Sequence, residues 1–253
     1  MDASLPFYLV AGTAVIILGL SKGGFAGVGM ISTPLLALVV GPVTAAGFML
    51  PILVIQDVVA VWMYKRTWNR RIIATMMPGA ALGIGLAYGL ASTVPEWSVE
   101  ITLGIISLLF AVQQLIRSMR PTIAEALAPS SILGTVSGLG SGFTSMIAHS
   151  GTPPFQFYVM PQKLERDEYI GTSVVFFASL NAMKIPAFAA LGQITTAHLA
   201  TAVVFAPIAV ASSWLGVYLV RRVDVRKFNL TITLILACVG VALICQGIAG
   251  SRG

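Results

Sequence analysis

Apolar stretches long enough to cross a bilayer recur along this chain, with short basic segments between them. A full crossing needs roughly 20 predominantly apolar residues. Residues 43–64, 72–90, 99–116, 169–191 and 197–220 meet that length, and 229–248 makes a sixth such run. Only 9% of the 253 residues are charged, against about 25% in soluble domains, so the chain lacks the side chains to cover a water-facing surface. The mean hydropathy of +0.92 agrees. Length alone would allow one or two soluble domains, and composition excludes them. The expected fold class is all-α, a polytopic integral membrane protein whose first partner is the lipid bilayer.

A net charge of +6 would suggest nucleic acid in a soluble chain. Here the basic residues cluster between apolar runs, where they set orientation, and no nucleic-acid partner is expected. Lys65, Arg66, Arg70 and Arg71 form one cluster, and Arg221, Arg222, Arg226 and Lys227 another; Arg117 with Arg120 and Lys163 with Arg166 mark two more. Segments 91–98 and 192–196 carry no Lys or Arg. The excess of positive charge on cytoplasmic loops therefore assigns the four clusters to the cytoplasm and the two uncharged segments to the outside. Trp62, Tyr64, Trp68 and Trp97 fall near run ends, as interfacial residues do. Residues 5–20 have Asp2 before them and Lys22 after them, the reverse of a secretory signal, and read as a retained helix.

Two regions break the pattern. Residues 5–20 lead into Ser21-Lys22-Gly23-Gly24-Phe25-Ala26-Gly27-Val28-Gly29 and then a short apolar piece, 30–40. Residues 131–140 lead into a Gly/Ser/Thr-rich stretch, 141–154, and then a shorter piece, 155–160. The two resemble each other. Gly24-Phe25 precedes Thr33-Pro34 much as Gly142-Phe143 precedes Thr152-Pro153, and Gly47 precedes Gln56-Asp57 as Gly171 precedes Leu180-Asn181. The chain reads as two copies of one unit, 1–117 and 130–253, joined by a cytoplasmic linker at 118–129. The orientation rule makes runs 43–64 and 169–191 opposite in direction, so the copies are inverted. Each then holds about five helical pieces, including a broken, re-entrant pair that enters and returns to its own side, and both termini lie outside.

Backbone without helical hydrogen bonds survives at membrane depth only inside protein or beside a water-filled cavity. Two matched breaks therefore point to a binding site at mid-membrane, as in inverted-repeat transporters. The N–H groups of Gly23, Gly24, Gly142 and Gly151, with the starts of the short helices, offer partial positive charge to an anion. Ser21, Ser32, Thr33, Ser141, Thr144, Ser145, Ser150 and Thr152 add hydroxyl donors. The plainer reading of Gly134-x-x-x-Gly138-x-x-x-Gly142 is close helix packing. Lys22 either attracts an anion within the membrane or snorkels to an interface. Asp57 and Asn181 occupy matched positions, Gln56 being secondary, and Lys184 lies one turn beyond Asn181 on the same face. Asp57 and Lys184 either pair or contact substrate, and Asp57 or His149 could couple a proton or ion; a hydrogen-bonded core role is the plainer one for a lone histidine. Pro51, Pro78, Pro186 and Pro207 shape helices. Cys238 and Cys245 share a helix face and read as packing residues, with no metal site and no cofactor expected.

The set Gly19-Leu20-Ser21-Lys22-Gly23-Gly24-Phe25, Thr33-Pro34-Leu35-Leu36, Ala148-His149-Ser150-Gly151-Thr152-Pro153-Pro154-Phe155-Gln156, Asn181-Ala182-Met183-Lys184-Ile185-Pro186 and Leu191-Gly192-Gln193 resembles the TauE/SafE sulfite exporter family over essentially the whole chain. Ser150 stands where that family often has glycine or alanine, and the breaks are less glycine-dense. The resemblance implies a multi-pass protein of a bacterial inner membrane. It also implies export of a small sulfur-containing anion such as sulfite, sulfoacetate or a related organosulfonate. Alternating access around the breaks is the expected mechanism, and a homo-oligomer is compatible with it. An uptake permease for a related anion, of the 4-toluene sulfonate type, is the alternative; an intramembrane enzyme is a remoter one. No Gly-x-x-x-x-Gly-Lys-Ser/Thr phosphate loop or His-Glu-x-x-His motif is present, so neither ATP coupling nor zinc-dependent hydrolysis has its usual signature.

Overall fold

A computed structural model describes residues 5–23, 27–91, 93–119, 130–219, 222 and 225–252. All regular structure among them is helical: α1 (Leu5–Lys22), α2 (Ser32–Val40), α3 (Pro42–Tyr64), α4 (Arg70–Ala91), α5 (Glu96–Met119), α6 (Ser131–Ala148), α7 (Thr152–Val159), α8 (Arg166–Ala190), α9 (Thr196–Leu219) and α10 (Val225–Gly250). Short 3-10 turns at Val28–Ile31 and Met160–Gln162 adjoin α2 and α7. Seven of the described helices, α1, α3, α4, α5, α8, α9 and α10, are long and apolar enough to cross a membrane. The six runs expected from hydropathy are all there, each within about three or four residues at its ends. Most of linker 118–129, together with Gly24, Phe25 and Ala26, lies outside the described residues.

Small residues fix how the helices pair. A Cβ on Gly79 or Gly83 of α4 would collide with the carbonyls of Thr135 and Leu139 on α6, and one on Gly138 or Gly142 of α6 with those of Met76 and Ala80 on α4. Both helices thus approach backbone to backbone, as small-residue stripes permit in lipid, and their numbering rises together, so they are parallel. Along α1 and α9, Gly12 adjoins Phe205, Gly19 adjoins Ser212 and Gly23 adjoins Gly216, another parallel pair. On α5 and α10, Gly104 meets Gly240 while Gly247 meets Trp97, so this pair is antiparallel. So are α3 and α8, because Gly47 abuts the Gln193 carbonyl and Gly171 abuts the Thr67 carbonyl.

These pairings separate two faces. On one, the basic face, Asn69 beyond α3 donates its side-chain amide to Glu168 at 2.9 Å and its backbone N–H to the Thr172 hydroxyl oxygen at 2.9 Å. Lys65, Arg66, Arg70 and Lys163 lie at this face. The other face holds the α4–α5 and α8–α9 connections. From that face α1 descends, with Phe7 packed on Phe48 and Phe48 on Phe205. Its partner α2 returns there, where Gln246 donates to the Leu38 carbonyl at 3.4 Å. Gly41, at φ 79°, makes the joint into α3 that a side chain would strain. From the basic face α6 enters beside α4, and α7 returns with Pro154 against Gly140 and Tyr158 against Gly134. Each is a helical hairpin whose two arms begin and end at the same face.

The breaks are shorter than the sequence suggests. Residues 141–148 are not unwound: α6 stays helical through Ala148, and only His149, Ser150 and Gly151 separate it from α7. Ser21 and Lys22 likewise form the last turn of α1. The Gly/Ser/Thr content of α6 lets α4 approach and does not open the helix.

Candidate functional site

Side chains of both hairpins reach α3 and α8, the pair of helices that carries the buried charge. Lys22, at the end of α1, donates to Asp57 Oδ1 at 2.5 Å, both side chains being largely buried (11% and 6% exposed). Asn181 Nδ2 donates to the other carboxylate oxygen, Asp57 Oδ2, at 2.6 Å. One turn on, Lys184 is fully buried and its ammonium donates to the Ser145 carbonyl and hydroxyl, each at 3.1 Å. The third Lys184 contact is His149 Nδ1 at 2.6 Å. The other ring nitrogen, Nε2, lies 3.0 Å from the Ala46 carbonyl. A carbonyl only accepts, so the proton sits on Nε2 and Nδ1 accepts from Lys184.

His149 also closes α6 with φ 51°, the left-handed conformation usually left to glycine. A non-glycine residue there is strained and needs its surroundings to hold it. The Lys184, Ala46 and Phe188 contacts, the last a ring stack at 5.7 Å, supply that hold.

A cavity of about 80 Å³ lies between the tips and α8. Ser21, Lys22, Ser145, His149, Thr152 and Asn181 line it. Since a water occupies about 30 Å³ of liquid, the space suits a solute of a few heavy atoms. Two cations, Lys22 and Lys184, stand against one carboxylate, Asp57, so the buried cluster keeps one formal positive charge. An uncompensated charge at this depth is costly, and an anion in the cavity offsets it.

The other expected site residues lie elsewhere. Gly142 packs on the Ala80 backbone and Gly23 on α9. Ser141 donates to the Gly151 carbonyl at 2.8 Å, Thr144 to Gly140 at 2.8 Å and Ser150 to Ala148 at 3.1 Å, so these hydroxyls are spent within the hairpin. Gly151 fills the space beneath Ser141 and Phe177. Ser32 and Thr33 are buried in the first turn of α2, the Ser32 hydroxyl without a partner among the described residues. Asp57 sits behind the cavity between Lys22 and Asn181, and it also borders an apolar groove between α3 and α8. Gly24 lies outside the described residues.

Sequence reasoning missed Tyr169, Ser173 and Phe177, which line the cavity from α8. The signal was available: stepping back from Asn181 by fours reaches each in turn, along one helix face. Gly27, Met30 and Leu53 complete the apolar side.

No curated protein and no solved structure matches this chain. The family model described as "Sulfite exporter TauE/SafE" matches residues 11–243, a span that includes both hairpins, α3 and α8. A buried cationic cavity at the tips of two helical hairpins is thus found in a chain that belongs to the TauE/SafE sulfite exporter family.

Proposed function

We propose that this protein exports a small sulfur-containing anion, with sulfite, sulfoacetate or a related organosulfonate as substrate, by alternating access to the cavity at the hairpin tips. The observation that carries the reading is the formal net positive charge of the Lys22–Asp57–Lys184 cluster beside a small cavity that polar side chains line on one side. Lys22 Nζ, the Ser145 and Thr152 hydroxyls and Asn181 Nδ2 present donors to an oxyanion there. With a cytoplasm negative by about 100 mV, each negative charge that leaves gains roughly 2.3 kcal/mol. A dianion therefore needs no nucleotide to depart, and a transporter, not an enzyme, is the role this site serves.

We read the two halves, 1–117 and 130–253, as inverted copies. Asp57 and Asn181 sit 124 residues apart and hydrogen-bond to each other, and Gly47 and Gly171 share that spacing. The antiparallel α3–α8 and α5–α10 pairs, with α1 on α9 and α6 on α4, support a two-fold axis through Asp57 and Asn181. Positive-inside logic makes the basic face cytoplasmic in a bacterial inner membrane, with both termini outside.

Reconstitution into liposomes tests the proposal. Sulfite efflux above that of protein-free vesicles, abolished in Lys22→Ala and Lys184→Ala, is the expected result. Efflux that persists in both variants overturns the charged-site reading.

A further inference from the structure

His149 stands between two cavities. The first is the one at the hairpin tips, which reaches Tyr169 and Ile170 near the basic face. A second, of about 190 Å³, lies among Pro42, Leu90, Val99 and Leu191 at the opposite face. Ala46 and Phe188 both line this second cavity, and both touch His149, one through the Nε2 hydrogen bond and the other through ring stacking. Ser145 belongs to the first cavity and Met146, the next residue, to the second. The partition is about one side chain thick.

We propose that His149 is the gate toward the opposite face: its imidazole, spanning the Ala46 carbonyl, the Phe188 ring and the Lys184 ammonium, closes the inner cavity, and its withdrawal joins the two cavities into one path. Lys184 is the latch. Its ammonium satisfies Nδ1 and so leaves Nε2 to bond Ala46 across the gap, holding the strained φ of 51° at the tip. An oxyanion is a stronger acceptor for an ammonium than a neutral imidazole is, so an anion in the inner cavity competes for the latch and loosens the gate. The purpose of the gate rests on the transport reading above; the partition itself does not.

Sided labelling tests it. Cys238→Ser with Cys245→Ser removes both cysteines of the chain, and Ser173→Cys then reports on the inner cavity. In vesicles of defined orientation, a membrane-impermeant thiosulfonate should label this cysteine from the basic face alone. His149→Ala and Phe188→Ala should each raise labelling from the opposite face about tenfold, the shift expected from loss of one net hydrogen bond or a comparable contact. One-sided labelling in both variants, or two-sided labelling before either is made, overturns the gate. Should His149→Ala fail to run as a monodisperse species, Phe188→Ala decides by the same outcomes. A positive labelling result with no sulfite efflux would sink the transport reading and leave the gate standing.

Discussion

The two hairpin tips solve the same problem with opposite chemistry. At the first, Lys22 meets a carboxylate, Asp57, and its charge is cancelled. At the second, His149 meets a lysine, Lys184, and no described carboxylate answers that charge directly. The supporting helices differ in buried charge at two positions of the 124-residue spacing: where α3 has Asp57 and Ala60, α8 has Asn181 and Lys184, and Asp57 and Asn181 bond each other. The difference places the surplus positive charge on the second side. Attraction for an anion therefore comes from a carboxylate that is missing as much as from the lysines that are present.

Removing the one carboxylate should have the largest effect. Asp57→Asn leaves the Lys22 ammonium buried without its partner, and breaking a buried pair costs about 3–5 kcal/mol. A marked drop in the unfolding midpoint in detergent is expected, read by thermal unfolding of purified protein. Adding Asn181→Asp to that variant moves the carboxylate across the same hydrogen bond and should recover most of the loss. Two variants of equal stability would show that the sides are not interchangeable and break the comparison.

Asn181→Asp alone sets a second carboxyl against Asp57, where two acids at hydrogen-bond distance hold one proton between them, so the amide donor is lost while little new charge is added. Loss of an amide donor to a charged acceptor costs about 1.5–3 kcal/mol, roughly ten- to hundredfold in affinity. The apparent Km for sulfite efflux should rise by that order. An unchanged Km would detach anion recognition from the asymmetry of the two tips.

The same contrast explains what could be read from the sequence. Helices were legible because lipid imposes long apolar runs, and their true ends extend into polar residues such as Arg70, Glu96 and Arg166 that hydropathy does not count. The hairpins were legible as repeated punctuation, and Asp57 and Asn181 as polar residues set within long apolar runs. The extent of the second break was not, because glycine and serine serve two ends: they unwind a helix, or they let another helix come close. Only the partner helix distinguishes the two, and α4 is 60 residues away in sequence from the Thr135 that it contacts. Ser173 and Tyr169 escaped notice because no charge marks them, although the helical period leads to them from Asn181.

Gly142 separates those two uses experimentally. As a packing residue against the Ala80 backbone, it should tolerate a methyl group poorly: Gly142→Ala costs about 1–3 kcal/mol by forcing α4 and α6 apart. Efflux per folded molecule should stay near that of the unaltered protein. The reverse outcome, intact stability with lost efflux, would return Gly142 to the substrate path and restore the wide break that the helix α6 contradicts.

The finest distinction is between two threonine hydroxyls of the second hairpin. Thr144 bonds the Gly140 carbonyl of its own helix, whereas Thr152 faces the cavity. Thr152→Val removes a donor to the anion while nearly keeping volume, so it should weaken apparent affinity by the worth of one hydrogen bond, about 0.5–1.5 kcal/mol or two- to tenfold. Thr144→Val removes a bond that only serves the helix and should leave Km for efflux unchanged. Because neither change alters charge, the pair tests cavity geometry independently of the lysines. An effect of Thr144→Val equal to that of Thr152→Val would mean that the anion passes along α6 itself, on a face now closed by its own carbonyls.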